Sequence, residues 1–160
     1  MEIRKALPAD AKAIAAIIIP TLREGSTYAI DPDLSEADAL AYWVSPDKET
    51  FVAEVDGVIV GTYYMRPNQA GGGRHVCNCG YMTRSGATGR GIARAMCQHS
   101  LAHARSRGYR AMQFNFVVST NDRAIRLWES LGFEIVGRLP GAFQHPAQGF
   151  VDAFVMYQSL

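Results

Sequence analysis

The residues best placed to do chemistry are Thr88, Gly89, Arg90, Gly91, Ile92 and Ala93, which sit where a strand-like run gives way to a long helical pattern. Glycines in such a turn let the backbone curl until several free N–H groups converge with the positive end of the helix dipole, which makes an anion site. Hydrogen bonds to charged groups contribute about 1.5–3 kcal/mol each, so a few backbone donors can hold a pyrophosphate without a dedicated side chain. Read alone, the loop fits a plain glycine-rich turn equally well. It is not a P-loop, because Ile92 and Ala93 stand where that cradle needs Lys and Ser or Thr. Nor is it the dinucleotide fingerprint, whose glycines follow the first strand, whereas this loop lies past mid-chain behind a hairpin.

Two amides and three thiols are the other reactive candidates. Alternation places Val76, Asn78 and Gly80 on one face of their strand, and Gln113, Asn115 and Val117 on one face of theirs. An amide in an apolar strand needs partners, because burying it unpaired costs roughly 1–3 kcal/mol. Neighbouring backbone can supply them, and so can a ligand. His75, Cys77 and Cys79 share a strand face, with Cys97, His99 and His103 on the following helix. Their spacing is not that of a zinc site, and small alternating thiols are most often buried hydrophobes, so no metal is expected.

These residues need elements to hold them. Ile3, Lys5 and Leu7 alternate as a strand, and Asp10 is placed to N-cap a helix over Ala11–Ile19 that Pro20 should end. Thr21 to Leu34 reads as a long loop, and Ser35, Glu36, Ala37 and Asp38 form a capping-box pattern that launches a second helix through Trp43. Phe51–Val55 and Val58–Tyr64, joined by Asp56-Gly57, form a hairpin with a type I′ turn. A strand from His75 to Met82 leads through the glycine-rich loop to a helix from Gly91 to Arg107, which Gly108 closes. A strand (Ala111–Val118), a helix (Asp122–Leu131) and two strands (Phe133–Gly137 and Val151–Tyr157) complete one mixed α/β domain over residues 1–160. Leu139 to Gly149 reads as a loop suited to covering a subunit interface. Tyr28, Phe143, His145 and Phe150 fall in loops or at a strand entry.

The loop Thr88–Ala93 resembles the Q/R-x-x-G-x-G/A coenzyme loop of the GCN5-related N-acetyltransferase (GNAT) superfamily. The block from Asn121 through Ala124, Leu127 and Trp128 to Gly132-Phe133 resembles its N-x-x-A-x-x-L-Y-x-x-x-G-F block. The resemblance implies a mixed, mostly antiparallel sheet of about six to seven strands with about four helices, its central strands splayed. It also implies acetyl-coenzyme A as co-substrate, with Met82, Thr83, Thr88, Gly89, Arg90, Gly91, Ile92, Ala93 and Asn121 binding the coenzyme. Two positions depart from the pattern. Thr88 stands where Gln or Arg is usual, a loss that Arg90 or Arg94 can make good. Trp128 stands where a Tyr often acts as general acid, a role that an indole N–H cannot fill.

The spacing of Asn78, Asn115 and Asn121 is similar to that of the superfamily members that act in yeast on azetidine-2-carboxylate and other proline analogues. By that likeness Asn115 and the Phe116 N–H hold a substrate carboxylate and Asn78 orients the acceptor nitrogen, so Asn78 and Asn115 are the residues nearest the chemistry; the superfamily fold implies that Tyr28, Phe143, His145 and Phe150 lie near its acceptor channel, for substrate or dimer contact. The implied reaction is direct attack of a neutral nitrogen of a small amine or amino or imino acid on the thioester carbonyl. The N–H of Met82 or Thr83 stabilises the oxyanion, and no covalent enzyme intermediate forms. No base stands out, though Glu24 and His75 are available. A catalytically silent coenzyme-binding module is the alternative that Thr88 and Trp128 suggest.

Composition narrows the partners. Sixteen Lys plus Arg face fifteen Asp plus Glu, a formal charge of +1, with no basic block, so neither nucleic acid nor an anionic membrane is expected as partner. The longest apolar run, Ala13–Ile19, falls well short of the roughly 20 residues a bilayer span needs. Three cysteines, with no secretory pattern at Met1–Arg4, read as reduced thiols of a cytoplasmic protein, a possible homodimer.

Overall fold

The Asp56-Gly57 dipeptide has both residues at positive φ, +49° and +77°, as a type I′ turn requires. It joins strand β2 (Glu49–Val55) to β3 (Val58–Pro67), and the register runs from Val55 opposite Val58 out to Glu49 opposite Met65. This hairpin seeds a seven-stranded sheet in the computed structural model, which describes all 160 residues. The other strands are β1 (Glu2–Lys5), β4 (Val76–Thr83), β5 (Ala111–Val118), β6 (Glu134–His145) and β7 (Gly149–Ser159), in the spatial order β1-β2-β3-β4-β5-β7-β6. Every neighbouring pair is antiparallel except β4 and β5.

Four α-helices cover the two faces: α1 (Ala11–Glu24), α2 (Glu36–Trp43), α3 (Ile92–Ser106) and α4 (Asp122–Ser130). One core lies between the sheet and α3 and α4, built on Tyr63, Met65, Cys77, Cys79, Met96, Met112, Phe114 and Trp128. The other lies under α1 and α2, built on Ile14, Ile18, Leu22, Trp43, Val52, Tyr64 and Met82. Trp43 is fully buried and donates its indole N–H to Thr62 Oγ1 at 3.0 Å, which ties α2 to β3. The capping pattern works as expected, since Ser35 accepts the Asp38 N–H at 3.1 Å.

Three sequence expectations change. Pro20 does not end α1, which continues to Glu24. An interior proline costs a helix about 3 kcal/mol, and here Ile17, Ile18 and Leu22 are buried on both sides of it, at roughly 1.5–3 kcal/mol per side chain. Asp10 does not cap α1 with its side chain. Its carboxylate instead accepts the Leu7 N–H at 2.7 Å and both terminal nitrogens of Arg4 at 2.8 and 3.0 Å. Leu139–Gly149 is not a loop, because β6 runs on to His145 and pairs with β7 as far as His145 opposite Gly149.

Candidate active site

The parallel pair β4 and β5 is in register only at Val76 with Ala111 and Cys77 with Met112, after which the strands part. Where the ladder stops, Asn78 Nδ2 donates to the Gln113 carbonyl at 2.9 Å, a side chain replacing the next backbone bond. Beyond it lies a cleft of about 600 Å³ lined from the α1–α2 connection, β3, β4, β5 and the first turns of α3 and α4.

At one end of the cleft the turn before α3 has Gly86, Gly89 and Gly91 at φ +80°, +85° and +76°, left-handed backbone that glycine adopts without strain. Gly91 is the N-cap of α3 and brings no capping side chain, so the first-turn N–H groups have no side-chain partner there. Thr88, Gly89, Gly91, Ile92 and Ala93 line the cleft. Arg94 and Arg123 line it too; a Cβ on Gly89 would stand 3.5 Å from the Arg123 guanidinium. Unpaired backbone donors and two guanidinium groups at one end of a cleft suit a phosphorylated ligand. Asn121 also lines the cleft, while its Oδ1 caps α4 by accepting the Ala124 N–H at 3.4 Å.

In the middle, the register decides which backbone donors are free. The bonds Asn68 N–H to Val76 O at 2.8 Å and Arg84 N–H to Val60 O at 2.8 Å show that the even residues of β4 bond to β3. Met82 therefore spends its N–H on β3, contrary to expectation, and Tyr81 and Thr83 turn theirs toward the gap. Both backbone groups of Tyr81 are engaged by Tyr28, whose hydroxyl accepts the N–H at 2.9 Å and donates to the C=O at 2.6 Å. Burial pushes the Tyr28 phenol far above its ordinary range, so it stays protonated. Trp128 forms the opposite wall, packed on Tyr81 and Phe114 with ring centroids 5.1 and 5.3 Å apart.

At the far end Asn115 is held at both ends of its amide: Nδ2 donates to Asn68 Oδ1 at 2.7 Å, and Oδ1 accepts from Gln113 Nε2 at 2.9 Å. The β5–β7 register breaks between Phe114 and Val117, so Asn115 and Phe116 form a bulge. The bulge corrects the expected alternation, since Val117 lies in the α3/α4 core with Phe114 rather than beside Asn115. Asn78, Asn115, Phe116 and Tyr28 all line this end, together with Tyr42, Tyr64 and Arg66. Gly80 makes room for Tyr64, because a Cβ there would stand 2.7 Å from its ring.

This architecture has known counterparts. The Acetyltransferase (GNAT) family model matches residues 17–133. The chain belongs to this family. It is 40% identical to a GCN5-related N-acetyltransferase from Kribbella flavida, with a TM-score of 0.93 over 99% of this chain and 97% of that one. It is 29% identical over 148 residues to the N-acetyltransferase aca1 of Schizosaccharomyces pombe, 82% of this chain and 71% of that protein. It also shares its fold with yncA of Salmonella typhimurium, solved with acetyl-CoA, at 24% identity and a TM-score of 0.88 over 100% of this chain and 94% of that one. By these likenesses the GNAT chain is an N-acetyltransferase.

Some expected residues stand apart from the acetyltransferase cleft. Arg90, within the motif, is exposed and does not line it, whereas Arg123, which no motif singled out, does. Glu24 is exposed and bonds Ser26, and His75 sits at the outer end of β4, where its carbonyl accepts the Arg110 N–H. Neither lines the cleft. Phe143 and His145 lie behind it, Phe143 packing edge-on against Phe116 at 6.2 Å, and Phe150 is 75% exposed on β7. Cys77, Cys79 and Cys97 are buried. Burial raises the Cys79 thiol well above its usual range and pushes Cys97 up to about 12, so neither is a nucleophile at neutral pH.

Proposed function

We propose that this acetyltransferase moves the acetyl group of acetyl-CoA to the nitrogen of a small amine or amino or imino acid, by direct attack in a ternary complex. The observation that carries the reading is one continuous cleft with an anion cradle at one end and a row of fixed amides at the other. The Thr88–Ala93 turn, with Arg94 and Arg123, would take the diphosphate, and Asn121 would meet the coenzyme at the start of α4. The bound thioester supplies the electrophilic carbonyl. Thr83 turns its N–H toward the gap and would serve the developing oxyanion in place of Met82.

Asn78 gives its amide N–H to the Gln113 carbonyl, which leaves Oδ1 to accept from the acceptor nitrogen and orient its lone pair. The second N–H of Asn115 Nδ2 and the Phe116 N–H in the bulge face the rest of the acceptor. With no carboxylate among the cleft residues, the acceptor must arrive neutral. At pH 7 a peptide α-amine, with pKa about 7.7–8.0, is neutral on the order of one time in ten, and a lysine-like amine roughly once in 2,500. The rate with each acceptor should therefore scale with its neutral fraction. When the tetrahedral adduct collapses the C–S bond breaks, and the proton shed by the nitrogen neutralises the coenzyme A thiolate, since Trp128 cannot supply one.

Thiol release measured over a panel of amines and amino acids tests this reading. Release should require an acceptor, and initial rates against both substrates should give intersecting double-reciprocal lines. Parallel lines, or tight coenzyme binding with no acceptor-dependent release, would overturn it.

A further inference from the structure

Arg66 closes the acceptor end of the cleft and is not explained by the coenzyme. Its Nε is buried without a hydrogen-bond partner, and its one ion pair is a long contact of 3.8 Å from Nη1 to Asp47, a side chain 61% exposed. Buried donors in folded proteins are almost always partnered, so the Arg66 Nε–H is a hydrogen bond left unmade, on a side chain 33% exposed at the cleft. A second cation lies near. The Lys48 ammonium sits 3.5 Å from the Tyr42 ring centroid and 4.7 Å from that of Tyr64, and both tyrosines line the cleft.

The register sets what Arg66 can reach. It lies directly opposite Asn78 on the β3–β4 ladder, in the hydrogen-bonded class of pair, whose Cα atoms are about 5.5 Å apart. Both belong to the sheet face that carries Thr62, Tyr64 and Met82. Both side chains rise from one rung of that face into the same cleft, a free amide oxygen that can accept from a nitrogen and a planar two-pronged cation, which suits an acceptor that carries both an amine and a carboxylate.

Resting on the function proposed above, we infer that Arg66 is the specificity residue of the acceptor site and anchors the carboxylate of an α-amino or α-imino acid. A small shift of the side chain brings Nε–H and one terminal N–H onto the carboxylate as two parallel bonds. Asn115 and Phe116 then flank the carboxylate rather than carry it. The same positive charge favours the neutral form of the neighbouring amine, so anchoring also readies the nitrogen for attack. Polyamines and lysine side chains are disfavoured, because they bring further positive charge to an end already holding Arg66 and Lys48.

The test compares α-amino acids with their primary amides and their decarboxylated amines as acceptors, with rates corrected for the neutral fraction of each amine. The wild-type enzyme should favour the acid over the amide by about 10- to 100-fold in kcat/KM. Arg66→Gln should bring that ratio to near unity by raising the acceptor KM, with the KM for acetyl-CoA held. Arg66→Lys, which keeps the charge and loses the fork, should fall between. Equal use of acid and amide by the wild-type enzyme would overturn the proposal, as would a ratio untouched in Arg66→Gln. Should the variant not fold, the wild-type ratio and Arg66→Lys decide. Turnover of neutral amines alone would refute the anchor and spare the acetyltransferase reading, whereas no turnover of any acceptor would end both.

Discussion

Asn115 owes its place in the cleft to two other amides, Asn68 and Gln113, which fix both ends of its side chain. A group pinned in this way presents its remaining N–H at a set angle. Asn115→Ala should therefore raise the KM for the acceptor several-fold more than the KM for acetyl-CoA, and steady-state kinetics with each substrate varied in turn checks it. An effect confined to the acetyl-CoA KM would contradict the placement. Asn78 and Asn115 were legible as polar residues in apolar strands that needed partners. Val117 was misplaced, because strict alternation has no way to signal a bulge. Arg66 and Arg123 left no trace in the motifs either: an arginine near a strand end or helix start reads as solvated surface until register and burial are known.

The α1–α2 connection is tied down at the scale of elements. Arg23 bonds the carbonyls of Pro32 and Leu34, and Tyr28 bonds both backbone groups of Tyr81 on the cleft side of β4. Tyr28→Phe leaves that part-buried N–H and C=O without their partner, which should cost about 1 kcal/mol in a denaturant titration. It should also free the Tyr81 N–H to compete with that of Thr83 for the thioester oxygen, so kcat should change while binding of coenzyme A is retained. A stability equal to wild type would show that the clamp is not made. The hairpin at Asp56-Gly57 and the capping box at Ser35 were readable because each depends on a few adjacent residues. The extension of α1 past Pro20 was not, since it depends on burial of Leu22 against the sheet, a tertiary effect that local propensity does not contain. The length of β6 was hidden for the same reason, because pairing with β7 resumes at Phe143 after an irregularity that takes up Pro140 and Gly141.

In the whole molecule, β1 and the start of α1 are joined by charge. Arg4 bridges Asp10 and Glu54, with contacts of 2.8 and 3.0 Å. The Arg4 guanidinium holds the Asp10 carboxyl below its ordinary range, aided by the Leu7 N–H. A carboxylate with a depressed folded pKa stabilises fully above its unfolded value, about pH 4, and that contribution drains away as pH falls through the lower folded value. Asp10→Asn should accordingly be less stable than wild type near neutrality, with the gap closing in strong acid. A gap that stays constant with pH would refute the assignment. The order of strands and helices agrees with the local patterns along the chain, and the mostly antiparallel sheet with its parted central strands agrees with what the two sequence blocks implied. Every one of these features serves the opening between β4 and β5.

That opening is the centre of the account, and calorimetric titration with coenzyme A and, separately, with pantetheine, which lacks the diphosphate and nucleotide, probes it most directly. With two or more charge-assisted hydrogen bonds made at the turn before α3, coenzyme A should bind at least about 100-fold more tightly than pantetheine. Equal affinities would mean that the curled backbone grips no phosphate, and the assignment of that end of the cleft would be wrong.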